Sequence, residues 1–179
     1  MEHNAIVKAC MEGDRNAQRS LIDGYSSLLM SICLRYCRSQ HDAEDALQES
    51  WIRIFKGMEG YQEAGYFKAW ICRITIHTAL RYMQRQQRHA NHEEIGNEHF
   101  DEIKPEALEL MKARDIIKLI AQLPDRAATV FKLYVIDELN HSDIATLLGI
   151  SESTSRVYLT RAREGLRILI ADQEKVENQ

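Results

Sequence analysis

Residues 136–167, IDELNHSDIATLLGISESTSRVYLTRAREGLR, decide the reading of this chain. Asn140 and Asp143 make a capping-box-like start, and Ile144, Ala145 and Leu148 supply a short apolar face, so the spacing predicts a helix from about Asn140 to Leu148. Gly149 follows, where a left-handed residue closes a helix; Ile150 is placed to tuck under the turn and Ser151 to cap the next helix. Helix, tight turn, helix is a helix-turn-helix. In the second helix Ser155, Leu159, Ala162 and Leu166 fall on one core-facing stripe. Roughly opposite lie Ser153, Arg156, Val157, Thr160 and Arg161, with Arg163 and Arg167 flanking. Guanidinium forks among small side chains suit a helix that enters the DNA major groove, where they pair with guanine edges or phosphates. The same pattern fits an ordinary helical hairpin with a solvated arginine face, so the rest of the chain has to decide.

Moving towards the N-terminus, Pro124 opens a helix whose Ala127, Val130, Phe131 and Tyr134 are periodic, and Pro105 stands in the first turn of another whose Ala113, Ile116, Ile117 and Ile120 are expected to face inward. Before them the character changes. Glu93, Glu94, Glu98, Asp101, Glu102, Glu106 and Glu109 stand against Lys104 alone within residues 91–110, and little there is periodic. This divides the chain into an N-terminal module (1–90), a flexible acidic linker (91–104), a C-terminal helix-turn-helix module (105–172) and a tail (173–179). The expected fold is all-α, since two prolines and eight glycines leave little punctuation for strands.

In the N-terminal module, Ile6, Val7, Cys10 and Met11 mark a short helix ending at Gly13, after which Asp14 is placed to cap a second. That second helix carries Leu21, Tyr25, Leu28, Leu29, Ile32, Cys33 and Tyr36 as a sustained stripe. Next, Ala43, Ala46, Leu47, Ser50, Trp51, Ile54 and Phe55 trace an inward face and leave Asp45, Gln48 and Glu49 outside as a compact acidic and amide patch. Such a patch is either solvated surface or a docking site for a partner. Gly57, Gly60 and Gly65 mark a loop bearing Met58 and Tyr61, whose side chains, if exposed, could hold an unstacked base. A long helix follows, with Phe67, Trp70, Ile71 and Ile74 starting its buried side. On another side Arg73, His77, Arg81, Gln84 and Arg88 recur, with Arg85 adjacent. No acidic residue occurs between Arg73 and Arg88, and this one-signed stripe favours a phosphate or base-edge surface.

A formal net charge of −4 argues against indiscriminate coating of nucleic acid, so any DNA contact is local. No run of about 18 apolar residues and no basic start with an apolar signal core is present, which predicts a cytoplasmic protein with no membrane insertion. The four cysteines make no CxxC pair, so reduced thiols are expected. Cys33, Cys37 and His41 share helical spacing and could face one zinc ion, but no fourth ligand is evident, so no metal is assigned. No P-loop, nucleophile-and-base pairing or cofactor motif is found, so neither catalytic residues nor a cofactor are expected.

Three segments together resemble a known family, the extracytoplasmic-function (ECF) group of bacterial sigma-70 factors. DAEDALQESWIRIF (42–55) resembles the helix that docks on the clamp of the polymerase β′ subunit. WICRITIHTALRYMQRQQR, from Trp70, resembles the helix that engages the minus-ten element, and the segment from Leu123 through LTRAREGLR resembles the minus-thirty-five-binding module. The resemblance implies a sigma factor that binds core RNA polymerase and directs promoter recognition, DNA melting and transcription initiation. Asp45, Gln48 and Glu49 would grip the polymerase. Met58, Tyr61, Arg73, His77, Arg81, Gln84, Arg85 and Arg88 would face the minus-ten element; Ser153, Arg156, Val157, Thr160, Arg161 and Arg163 would face the minus-thirty-five element. It also implies an anti-sigma factor as a further partner. Where the family usually has asparagine the chain has His77, and Ser153 and Ser155 replace a usual glycine and valine; these departures bear on which promoter is read.

The rival reading is a stand-alone helix-turn-helix regulator with an N-terminal sensing domain. It leaves both the cationic stripe and the Asp45, Gln48, Glu49 patch as coincidences. The acidic stretch 91–110, about 20 residues, spans about 60–70 Å if extended, enough for two modules to reach DNA elements about 50–70 Å apart.

Overall fold

The computed structural model describes residues 2–61, 66–90 and 116–177. Contacts divide the chain into two compact units, Met1–Asp101 and Glu102–Gln179. All regular structure among the described residues is helical. The linker expected at 91–104 lies outside them, as does Ala113.

In the first unit, α1 (Glu2–Met11) ends before Gly13, whose φ of 85° lets the chain reverse without a side-chain clash. Asp14 then caps α2 (Arg15–Tyr36), its carboxylate accepting from the Asn16 and Ala17 amides. Ser39 caps α3 (Gln40–Gly57) through the Asp42 amide. A 3₁₀ turn, Met58–Gly60, leads to Tyr61, and α4 spans Phe67–Ala90. Helices α2, α3 and α4 pack on one another around Leu29, Ile32, Ile54, Met58 and Ile71, none more than 3 % exposed. Ala43, Ala46 and Ala79 let α3 and α4 approach closely beside Cys33, Cys37 and Met83. Buried Ser50, Thr75 and Thr78 return their hydroxyls to the carbonyls of Ala46, Ile71 and Ile74, so these polar groups are satisfied within their own helices.

In the second unit, α5 is described over residues 116–121. Its inward side chains are Leu119 and Ile120, with Leu123 just beyond; Ile116 and Ile117 are exposed, which corrects the expectation that they face the core. Leu119, Ile120 and Leu123 pack with Ala162 and Leu166 of α8, so Ile120 holds its expected place, while Ile117 falls off that face by its spacing and Ile116, on the same side, lies outside this cluster. Pro124 precedes α6 (Asp125–Phe131), which runs into a π-helical turn, Lys132–Ile136, with Leu133 fully buried. Glu138 then adopts φ 55°, a left-handed conformation costing about 1 kcal/mol in a non-glycine residue. It is held there by buried Leu139, whose amide donates to the Leu133 carbonyl at 2.9 Å.

Asn140 caps α7 (His141–Leu148) through the Asp143 amide at 2.8 Å, and Gly149, φ 64°, terminates it while Ile150 N–H returns to the Ala145 carbonyl. Ser151 accepts from the Thr154 amide and starts α8 (Glu152–Glu177). Ser155, Leu159, Ala162 and Leu166 are the buried stripe of α8, as the spacing predicts. At Gly165 the helix comes so close to Leu123 that an added Cβ would stand 2.6 Å from Leu123 Cδ2. The helix continues past residue 172 to Glu177, because ILIADQEKVE contains no breaker.

Candidate nucleic-acid and partner interfaces

The outer face of α3 is less free than its sequence implies. Asp45 accepts a hydrogen bond from the Tyr82 hydroxyl of α4 at 2.9 Å, and Gln86 donates to the same hydroxyl at 3.0 Å. Glu49 holds two guanidinium groups, that of Arg53 one turn along α3 at 2.7 Å and that of Arg85 on α4. Burial pushes the Glu49 carboxyl up, but the hydrogen bonds and charges of Arg53 and Arg85 outweigh it and leave the group below its ordinary range. Burial, reinforced by the Asp45 carboxylate, raises the Tyr82 phenol. Of the three residues in the acidic and amide patch, Gln48 is exposed and Asp45 and Glu49 are half-buried. Arg85, assigned by sequence to the cationic stripe, therefore spans from α4 to α3, with its guanidinium 5.8 Å from the Tyr82 ring centre.

Arg73, Arg81 and Gln84 are exposed along α4 and His77 is half-buried. The Arg88 side chain lies outside the described residues. At the start of α4, Met58 does not take the exposed position expected of it: it is 1 % exposed and belongs to the core. The reason is that α3 persists through Gly57 and the 3₁₀ turn folds Met58 inward, while Gly57 lies against Trp70, where a Cβ would sit 3.2 Å from the indole. Tyr61 is half-buried, its ring 4.9 Å from that of Trp70 and 5.5 Å edge-on to Phe67. The exposed aromatic of this region is Tyr66, 73 % accessible, which sequence reasoning missed; it directly precedes the buried Phe67, and a helical wheel started at Phe67 would have placed it off the inward face.

On α8, Arg156, Val157, Thr160 and Arg161 are exposed together, with Ser153 at the helix start. The Ser153 hydroxyl shares the capping cluster with Ser151 at 2.8 Å. Arg156 pairs with Glu152 on its own helix at 3.0 Å, both partners well exposed. Arg163 instead lies over the Tyr134 ring at 5.9 Å; Tyr134 stacks on His141 at 4.7 Å, and His141 Nδ1 is 2.9 Å from the buried Ser155 hydroxyl. Burial, the Arg156 charge and the Arg163 charge push the His141 imidazole below its ordinary range against the opposing pull of Glu152. This chain of contacts clamps the two helices of the helix-turn-helix together, so Arg163 has a structural partner that its place on the outer face did not reveal.

Cys33 and Cys37 point into the core, where burial pushes both thiols up to about 12, whereas His41 is exposed and 4.0 Å from Asp45. The three do not converge, and among the described residues no group of three or more potential ligands does.

Residues 21–89 match the sequence family described as Sigma-70 region 2, and residues 113–166 match Sigma-70, region 4. The chain is similar to the ECF RNA polymerase sigma-E factor of Haemophilus influenzae, 27 % identical over 172 residues covering 89 % of this chain and 90 % of that one. It is similar to the ECF RNA polymerase sigma factor SigW of Bacillus subtilis, 28 % identical over 178 residues covering 93 % and 95 %. Among solved structures, the sigma factor RpoE in complex with the anti-sigma factor NepR from Bartonella quintana aligns with a TM-score of 0.62 at 17 % identity over 86 % of this chain and 96 % of that one. CnrH in complex with the cytosolic domain of CnrY aligns with a TM-score of 0.56 at 16 % identity over 94 % and 96 %.

Proposed function

We start from the fact that this chain belongs to the sigma-70 family, as a sigma factor of the ECF group, and propose how its residues divide the work of that function. It is an alternative-type sigma factor: it binds core RNA polymerase and promoter DNA, and an anti-sigma factor is its further partner. In this reading the unit containing α1–α4 holds polymerase and the minus-ten element, and the unit containing α5–α8 holds the minus-thirty-five element. The observation that carries it is the exposed Arg156, Val157, Thr160 and Arg161 face on a capped helix-turn-helix, in a chain with both sigma-70 regions in order.

Gln48, with Asp45 and Glu49 beside it, meets the polymerase clamp. Arg73, Arg81 and Gln84, with His77, meet the minus-ten strand. Tyr61 and Tyr66 offer the aromatic surface for an unstacked base; Met58 has no part in it. Arg85 reaches phosphate only by leaving Glu49, and Arg163 by leaving Tyr134. Arg156 and Arg161 suit guanine or phosphate, and Val157 suits a thymine methyl. The chain catalyses nothing itself in this reading and acts in the cytoplasm; none of the described helices is long and apolar enough to cross a membrane.

The test is run-off transcription with purified core polymerase across genomic fragments: specific starts that need this chain are expected, and unchanged transcription in its presence refutes the reading. A net charge of −4 adds a second expectation. The free protein binds promoter DNA with about micromolar or weaker affinity at physiological salt, because tight binding needs polymerase to hold both units on one duplex. Nanomolar specific binding by the isolated chain in an anisotropy assay favours the stand-alone regulator instead.

A further inference from the structure

We infer that Ile52, an exposed isoleucine in the middle of the α3 outer face, is the energetic anchor by which core polymerase holds this chain, and that Asp45 and Glu49 orient the contact instead of driving it. The inference rests on the sigma-factor reading and adds to it a residue outside the acidic and amide patch.

Residues 45, 48, 49, 52 and 56 fall on one side of a helix by their spacing. Within that side Ile52 is 55 % exposed, whereas Ala43, Ala46, Trp51 and Ile54 of the same helix are buried. Nothing local asks for isoleucine there. A β-branched side chain is a weaker helix former than alanine or lysine, and this one stands outside the cluster that Ala43 and Ala46 of the same helix form with Cys33, Cys37, Ala79 and Met83. Isolated exposed apolar residues are common and need no explanation. Ile52 differs in sitting one turn beyond Gln48 and three residues after Glu49, continuous with the face already assigned to polymerase.

The state of the two carboxylates decides which side chain supplies the affinity. Asp45 already accepts from Tyr82, and Glu49 already holds Arg53 and Arg85. A cationic group arriving from the partner meets one carboxylate that is substantially exposed and one that already holds two guanidinium groups, so its net gain is that of a screened surface pair and small. Ile52 loses no bond when it leaves water, and its gain is the whole of its exposed apolar surface. The partner surface that fits is an apolar recess rimmed by cationic or hydrogen-bond-donating side chains: the recess takes Ile52, and the rim selects the carboxylates and the Gln48 amide.

The experiment titrates core polymerase into the fluorescently labelled full-length chain at low and high salt, comparing Ile52→Ala, Asp45→Asn and Met11→Ala. Met11 is an exposed apolar residue of α1, 45 % accessible, and serves as the control for loss of any apolar surface. Thermal melting checks that each variant is folded. Ile52→Ala is expected to weaken binding about tenfold and Met11→Ala not at all, since burying an exposed isoleucine is worth about that much. Asp45→Asn is expected to cost less than about threefold, and raising salt from about 0.1 to about 0.4 M to change the unsubstituted affinity by a similarly small factor. Undiminished binding by folded Ile52→Ala overturns the inference and leaves the sigma-factor reading standing. So does a loss with Asp45→Asn as large as that with Ile52→Ala, joined to a steep fall with salt. If the unsubstituted chain does not bind core polymerase, both are overturned.

Discussion

The two units carry their charges in opposite ways. In the first, charged and polar side chains join one helix to another: Arg85 of α4 to Glu49 of α3, and Tyr82 of α4 to Asp45 of α3. In the second, Arg156 of the outer face of α8 pairs with Glu152 one turn away on its own helix, while Arg163 turns back over Tyr134. At Glu49 the charge is balanced in place by Arg53 and Arg85, which suits a fit to a protein surface. Exposed guanidinium groups on a firmly capped helix suit a polyanion, since they give up little on contact and release counterions when they bind. One chain thus presents two kinds of surface, made by where each arginine finds its carboxylate.

Damage to the core of one unit should leave the other folded. Ile144, fully buried beneath the helix-turn-helix, should cost about 2–5 kcal/mol as Ile144→Ala. Hydrogen exchange should then show protection lost across α6–α8 and kept in α2–α4; equal loss in both would mean that they unfold as one. A step smaller, Arg161→Ala should lower initiation that depends on the upstream element about ten- to hundredfold with no change in melting temperature. An unaltered transcript level would remove Arg161 from the DNA-reading face.

Smaller again is the bridge in the first unit. Glu49→Gln should destabilise by at most about 1 kcal/mol, because Arg53 and Arg85 are both substantially exposed. Its pH signature has a fixed sign. The folded carboxyl titrates below its ordinary value of 4.5, so the contribution is complete above that pH and disappears as pH falls through the lower, folded value. Melting curves of wild type and Glu49→Gln should converge on acidification; a constant gap would deny the linkage. The smallest effect belongs to His141, also held below its ordinary value, here 6.5. Unfolded chains take up its proton more readily, so stability is full above about pH 6.5 and declines below it. An NMR titration of His141 should have its midpoint below that of an unstructured histidine, and a midpoint at or above it contradicts the packed, neutral imidazole.

Local signals were legible because their causes lie within one helical turn. Asp14, Asn140 and Ser151 each bond amides two or three residues ahead, and Gly149 adopts the positive φ that ends α7. The Ser155, Leu159, Ala162 and Leu166 stripe is equally local, a matter of period against one core. What failed depended on which element packs against which. Met58 looked like a loop residue until the 3₁₀ turn carried it inside, and of the expected Ile116, Ile117 and Ile120 only Ile120 is buried, beside Leu119. The π-helical turn at Lys132–Ile136 left no trace in composition, since an added residue in a turn changes the hydrogen-bond pattern and not the residue types.

Helicity, the capped helix-turn-helix and the cationic face of α8 follow from the order of residues alone, because caps and periods depend on neighbours a few residues away. Packing between helices is what pairs Arg85 with Glu49 and Tyr82 with Asp45, partners 36 and 37 residues apart, and what leaves Ile52 outside while Met58 goes in. A charge or an apolar side chain is written in the sequence, but its partner is chosen by whatever helix packs beside it.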